Sequence, residues 1–437
     1  MLKQITFENW KSFRNTTLHI EPLTMVIGAK GSGKTNALEA LAFLSHTAQG
    51  KNVRESLKGD STQIPIRGGI EAATFKSTEQ FILTVWVQHD TEPNLEYLYS
   101  VVVEPASSLV VAEKLVRTEY SDHNQMPQET TLIDIDLDQD QHIVADYDLQ
   151  TRGLIGRLDR IVGLSGLFTA LGRLEARLPG PMITVLETLR HIMTLAPRPA
   201  PMRAASRLSA RLRNDGANLA GVIAYRPPEE RRMVEAVLSS CLSRLPITDL
   251  QRVWVEPVGD KPEKAIIYGE PYTPSGTTAP RLDAAAMSDV ALRCLAMLTA
   301  VLTVPPGSLL ALEDVDLHMD TAQAALLIHM LRDLAHQQSL GVIVTTDNPA
   351  ILTRMPSESI PLVNVVQRNF PAGESLMTLP EDIESIPKLM ENESETMERS
   401  AARSAIQRSF ARIKKGRVAA RAAIERSRVQ LKKRKRS

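Results

Sequence analysis

The period of the hydrophobic pattern changes several times along the chain, and each change marks the edge of an element. Short half-apolar runs at Lys3 to Phe7 and Thr17 to Ile20 predict two strands flanking Lys11-Ser12-Phe13-Arg14. The continuous apolar run Leu23-Thr24-Met25-Val26-Ile27 predicts a third strand, ending in a glycine-rich turn. Ala37, Leu38, Ala40, Leu41 and Leu44 then recur at helical spacing. From about Ile70 to Tyr147 the pattern is β, with Phe81 to Val87, Tyr97 to Val103 and Thr131 to Leu137 separated by turn-rich stretches, as in an antiparallel meander. Helical periodicity takes over from about Leu154 to Leu245, broken by Ala196-Pro197-Arg198-Pro199-Ala200-Pro201. Strands are predicted again at Val253 to Val255 and Ala265 to Tyr268, then a helix over Ser288 to Leu302. A very apolar strand follows at Leu309 to Leu312, a helix at Thr321 to His336, and a strand at Gly341 to Thr346. Buried strands alternating with helices indicate an α/β fold with a parallel core sheet.

A length of 437 residues implies two to three domains, and 43% hydrophobic with 23% charged residues excludes a disordered or collagen-like chain. Cys241 and Cys294 sit alone in apolar helical patterns, which predicts buried, reduced thiols rather than a disulfide scaffold. The start MLKQITFENW lacks a signal-peptide profile, and the longest apolar stretch, Leu292 to Leu312, is broken by Arg293 and by Pro305-Pro306-Gly307. A cytoplasmic protein without membrane contact is therefore expected. The formal net charge of zero hides a segregation. Arg399 to Ser437 carries 15 Lys/Arg against Glu425, which leaves 36 basic and 50 acidic residues elsewhere. An acidic stretch with seven acids, Glu381 to Glu398, precedes this tail. A basic tail on an acidic body suits a polyanionic partner, docking to an acidic partner subunit, or simple solubilisation. Phe410 is its lone aromatic, so base stacking is not its mode.

Gly28-Ala29-Lys30-Gly31-Ser32-Gly33-Lys34-Thr35 satisfies the phosphate-binding pattern G-x-x-x-x-G-K-[ST] between a strand and a helix. Its backbone N–H groups, continued by Asn36, would surround the phosphates of ATP. Lys34 would reach the β- and γ-phosphates, and the Thr35 hydroxyl would ligate Mg²⁺. Leu309 to Leu312 followed by Glu313-Asp314 is a buried strand ending in two acids. Glu313 would join the Mg²⁺ shell and Asp314 would polarise the attacking water. Ser288 and Asp289, in Met287-Ser288-Asp289-Val290-Ala291-Leu292-Arg293, read by themselves as a helix cap and its first-turn acid. Asp134, Asp136, Asp138 and Asp140 alternate, but Gln139 and Ala145 break the calcium-loop pattern, leaving a strand with a solvated acidic face.

Taken in order, the P-loop, the Ser288 cap, the acidic strand and Thr345-Thr346-Asp347-Asn348-Pro349 resemble the ABC-type ATPase heads of the RecF, SMC and OLD-like group. Phe7 to Phe13, Ile66-Arg67-Gly68-Gly69, Gly216 to Ala220 and Asp316-Leu317-His318 are similar to further segments of compact bacterial ATPases of that group. The resemblance covers roughly residues 1–370. It implies two heads that dimerise head to tail around ATP, with Ser288 reaching the γ-phosphate held by the other subunit's Lys34. It implies His318 near the dimer face.

Four residues depart from the group's pattern: Lys30 for Asn, Val290 for Gly, Asp314 for Glu, and Asp347 for the switch His. The carboxylate of Asp347 repels a γ-phosphate where His would donate to it, so slow turnover is expected. The implied organisation is a P-loop lobe over 1–152, a helical insertion over 153–245, a signature and acidic-strand lobe over 246–380, and an acidic-then-basic tail over 381–437. Two antiparallel helices of about 40 residues would extend about 60 Å, too short for a long coiled-coil arm. No nuclease domain is visible, so cutting would fall to a separate effector. The expected function is an ATP-switched dimer or higher homo-oligomer acting on or sensing nucleic acid, in DNA maintenance or antiphage defence. The alternative is a largely non-hydrolysing scaffold that holds an effector such as a toxin or nuclease.

Overall fold

The computed structural model describes residues 1–59, 65–76, 78–120, 127–137, 143–145, 169–173, 180–246, 249–259, 263–272, 281–355, 361–369 and 372–379. The apolar runs without alternation become the centre of a six-stranded sheet in the order β17-β16-β3-β15-β14-β9. In it β3 (Leu23–Ile27), β9 (Ile192–Leu195), β14 (Leu309–Leu312), β15 (Gly341–Thr346) and β16 (Leu362–Asn369) run parallel, and β17 (Glu374–Thr378) is an antiparallel edge. Every residue of β3, β14 and β15 is buried, because both faces of this sheet are covered. Met25, Ile27, Leu310, Leu312, Val342 and Val344 enter one core, whereas Val26, Leu309, Ala311 and Ile343 enter a second.

The second core lies against a seven-stranded antiparallel sheet ordered β2-β1-β4-β5-β6-β7-β8. Its strands are β1 (Leu2–Trp10), β2 (Phe13–His19), β4 (Phe81–Gln88), β5 (Leu95–Glu104), β6 (Leu109–Glu119), β7 (Gln128–Leu137) and β8 (Ile143–Ala145). Helix α1 (Lys34–Ala48) belongs to the same core, and its buried residues go nearly all the way round it, as an apolar helix without a polar face requires. Phe43 meets Phe81 edge-on at 5.4 Å, and Trp10 meets Phe81 at 4.8 Å. Helix α2 (Val53–Lys58) follows, opened by a capping box between Asn52 and Glu55.

The first core is completed by α4 (Leu219–Tyr225), α5 (Pro228–Arg244), α6 (Asp289–Thr303) and α7 (Thr321–Gln337), while α3 (Gly180–Arg190) packs on the α1 side. A small sheet joins the same core through β11 (Leu250–Val258) and β12 (Lys264–Pro271), flanked by the short β10 (Ser206–Arg207) and β13 (Leu282–Asp283). Cys241 and Cys294 are buried free thiols there, and burial pushes the Cys294 thiol up to about 12. Among the described residues, no helix is long and apolar enough to cross a membrane.

The fold is mixed α/β with a meander, as expected, but residues 153–245 are not wholly helical. Ile192 to Leu195 form β9 of the main sheet, paired with β14 from Leu309↔Ile192 to Leu312↔Leu195, and no described helix of this stretch exceeds the 17 residues of α5. A four-residue apolar run has no period of its own, and the open edge of β14 decides it. The expectations for residues 153–168 and 381–437, including the acidic stretch and the basic tail, and for Asp138 and Asp140, concern residues outside the described ones.

The aromatic cluster gives a direct stability test. Replacing the fully buried Phe43 by Ala should destabilise the protein by about 3–5 kcal/mol, seen as a lower midpoint of urea unfolding.

Candidate nucleotide-binding site

Three loops leave the carboxyl ends of the adjacent strands β3, β15 and β14, and all candidate residues but Ser288 lie on them or on the first turn of α1. After β3 the backbone N–H of Gly28 donates to the Thr346 carbonyl at 3.2 Å, tying the first loop to the end of β15. Gly31 and Gly33 adopt φ of 78° and 117°, which side chains other than glycine take only under strain. A Cβ on Gly33 would lie 2.8 Å from Ser375 Oγ and 3.0 Å from Ser12 Oγ, so the back of the loop is packed; one on Gly31 would meet nothing within 4 Å, so its crest is open. Helix α1 begins at Lys34 with neither a side-chain cap nor an acid in its first turn. Its first N–H groups and dipole are therefore left to an external anion, which is the fit a phosphate chain needs.

Lys34 is 7% exposed, and its ammonium donates to the carbonyls of Gly28 (2.5 Å) and Ala29 (3.3 Å). Burial lowers its pKa, opposed by the charges of Asp314, Asp347, Asp316 and Glu313. The Thr35 hydroxyl donates to Glu313 Oε1, and Arg67 Nη2 donates to the same oxygen at 2.7 Å. Glu39 of α1 accepts from Arg67 Nε at 3.2 Å and from Lys11 Nζ. Burial works against the Arg67 charge, but Glu313 and Glu39 outweigh it and hold the guanidinium above its usual range. One hydroxyl and one carboxylate, already facing a cation, fit a Mg²⁺ that keeps waters and substrate phosphates in its shell. Among the described residues no group of three or more His, Cys, Asp or Glu could hold a metal by itself.

Asp314 sits in left-handed backbone at φ 48°, a conformation that costs a non-glycine residue about 1–2 kcal/mol. Its N–H donates to Thr345 Oγ1 at 2.9 Å, and its carbonyl accepts from Arg293 Nη2 at 2.7 Å. Desolvation, then repulsion from Glu313, raises the Asp314 pKa; Lys34 pulls it back and Asp347 adds to the rise. Asp316 accepts from Thr346 Oγ1 at 2.7 Å, and burial raises its pKa too. Arg293 is 5% exposed and also donates to the Pro197 carbonyl at 2.7 Å, linking α6 to the acidic strand and to the Pro-rich loop.

The structure thus brings together Gly28 to Thr35, Glu313, Asp314 and Asp347. Asn36 turns its amide to Ser12 Oγ at 2.7 Å, and Ser288 is exposed at the head of α6, accepting from the Ala291 N–H at 3.1 Å. Among the described residues no hydrogen bond or ion pair joins Ser288 to the P-loop of its own chain. Val290 packs against the first core. His318 is exposed at φ 68°.

Several working residues escaped the sequence reading. Arg67 was visible only as part of Ile66 to Gly69, without a role. Arg293 carried a signal, a single charge inside an otherwise apolar helix. Arg203 carried none. Its Nη1 donates to the carbonyls of Ala284, Ala285 and Met287 at 3.1, 2.8 and 2.8 Å, and its Nη2 to Asp289 at 2.5 Å, so one guanidinium holds the loop that presents Ser288.

The chain matches the RecF/RecN/SMC N terminal domain over residues 1–369. Among solved structures it is similar to an SMC head bound to the C-winged helix domain of ScpA, at 13% identity and TM-score 0.48, covering 87% of this chain and 98% of that one. It is also similar to the SMC head domain from Thermotoga maritima, at 12% identity and TM-score 0.39, covering 86% and 98%. No curated protein matches. With more than four-fifths of its length matched, the chain belongs to the RecF/RecN/SMC N-terminal domain family and carries an ABC-type ATPase head.

Proposed function

We propose that this protein binds Mg²⁺ and ATP through the P-loop and acidic strand, dimerises head to tail around the nucleotide, hydrolyses it slowly, and acts on or senses nucleic acid. The observation that carries the nucleotide reading is the meeting of Thr35 with Glu313 beside Lys34: the two residues are 278 apart in sequence, and the strands they follow, β3 and β14, flank β15 in the sheet. Mg²⁺ would be held by Thr35 and Glu313 and would neutralise charge between the terminal phosphates. Lys34 would exchange its loop carbonyls for phosphate oxygens. Asp314, held in place from both sides by Thr345 and Arg293, would orient and polarise the attacking water. Ser288, exposed on its own head, would complete the site of a second copy rather than its own.

Slow turnover follows from Asp314 and Asp347. A side chain one methylene shorter draws the base back, and Asp347 adds negative charge where phosphate would bind. Asp347 also favours the second reading, in which the head is a largely non-hydrolysing scaffold with ATP as the joint between copies and a separate effector as its cargo. The basic segment Arg399 to Ser437 supports phosphate-backbone contact, with affinity that falls steeply with salt.

Lys34→Ala should weaken ATP binding roughly a hundredfold, as loss of a desolvated charge contact does; unchanged affinity overturns the P-loop reading. Asp314→Asn should trap an ATP-bound dimer visible by light scattering if the head cycles, and change little if it is a scaffold. Arg203→Ala should accelerate hydrogen exchange over residues 284–291 and reduce ATP-dependent assembly, while ATP affinity of the monomer stays within about twofold. Truncation after Glu398 should remove most DNA affinity and flatten its salt dependence; an unchanged slope would assign the contact to the body.

A further inference from the structure

Two of the departures from the group's pattern face each other. Lys30 Nζ lies 3.8 Å from Asp347 Oδ2, with the lysine 90% and the aspartate 40% exposed. The backbone holds them in this relation, since Gly28 N donates to the carbonyl of Thr346, the residue immediately before Asp347. Lys30 stands beside the open crest of the loop at Gly31, and the charge of Asp347 is felt by Lys34, Asp314 and Asp316. Both side chains therefore border the place where the phosphates would lie. Other cations there already have partners: Arg67 is held by Glu39 and Glu313, Arg293 by backbone carbonyls, and Lys34 by the loop itself.

An ion pair this exposed contributes little to folding. A long, mobile ammonium at 3.8 Å suits a contact that is made and broken.

We propose that Lys30 is exchanged between Asp347 and the terminal phosphate, so that the pair distinguishes a nucleoside triphosphate from a diphosphate. This rests on the P-loop reading above. In the nucleotide-free head Lys30 neutralises Asp347. A γ-phosphate offers the ammonium a more highly charged partner, and taking it leaves Asp347 without Lys30. Asp347 thus weakens the contribution of Lys30 to triphosphate affinity, because the carboxylate contact is lost when the phosphate contact forms. A diphosphate has no group to draw Lys30 away.

The sign of this coupling separates exchange from static masking. If Lys30 stayed beside Asp347 in both states, the two charges would act independently on the nucleotide. If Lys30 moves, its removal costs more affinity once Asp347 is neutral. The experiment is titration calorimetry of the full chain with magnesium-loaded AMP-PNP and ADP, using the native protein, Lys30→Met, Asp347→Asn and the double variant, with Lys34→Ala as control. The expected result is an AMP-PNP affinity lowered about tenfold by Lys30→Met in the Asp347→Asn background and several-fold less in the native one, with ADP affinity unchanged by Lys30→Met in both. Equal losses in the two backgrounds, no loss in either, or an equal loss for ADP would overturn the exchange while leaving the P-loop reading intact. If the native chain binds neither nucleotide, or Lys34→Ala binds both normally, the P-loop reading fails and the exchange with it.

Discussion

The parallel pairing of β3, β15 and β14 brings the P-loop, the acidic pair and Asp347 to one end of the sheet. Ile27 and Thr346 are level with each other, so the P-loop and the turn at Asp347 leave the sheet side by side. The acidic strand ends two residues earlier, with Leu312 opposite Val344. That stagger is spanned by two neighbouring threonine hydroxyls, Thr345 accepting from the N–H of Asp314 and Thr346 donating to the carboxylate of Asp316. A slip of one residue in either pairing would turn the buried side chains to the opposite face and exchange the two cores. Because both faces are covered by distinct apolar clusters, the register that builds the cores is also the one that builds the site.

Four carboxylates crowd one buried ammonium, and the protein manages them by local partnerships rather than by a single compensating charge. Glu313 has Arg67 and Thr35; Asp316 has Thr346; Asp314 has its backbone held but its carboxyl raised by desolvation and by Glu313. Lys11 and Arg67 share Glu39, which extends the network back to the hairpin of β1 and β2. A divalent cation together with a polyanion suits such a place better than either alone, since each offsets the repulsion met by the other.

Much of this was legible in the chain itself, and the reasons differ by element. β14 and β15 were bounded correctly because uninterrupted apolar runs, closed by turn residues or acids, admit little else at that length. The P-loop was legible because glycines at fixed spacing carry a backbone requirement, seen here as positive φ at Gly31 and Gly33. β6, with Lys114 and Glu113 inside it, lacks clean alternation and takes its order from hydrogen bonding to β5 and β7. β9 is too short to declare a period. The roles of Arg67 and Arg203 were invisible because each depends on acceptors brought from far along the chain: Glu313 for the first, and the carbonyls before α6 for the second.

The back of the P-loop is braced from both ends of the head. Ser375 N donates to the Ser12 carbonyl at 2.7 Å, Ser375 Oγ donates to the Ser32 carbonyl at 2.5 Å, and Met377 exchanges hydrogen bonds with Thr16. These contacts span more than 340 residues. A ribosome adding about 5–20 residues per second needs roughly 17–70 s to travel from Thr35 to Ser375. During that interval the nascent loop has its glycines and its lysine but not the wall behind them. The nucleotide site is begun at the P-loop and finished more than 340 residues later, so a chain interrupted before β17 holds the whole phosphate-binding motif without the brace that shapes it.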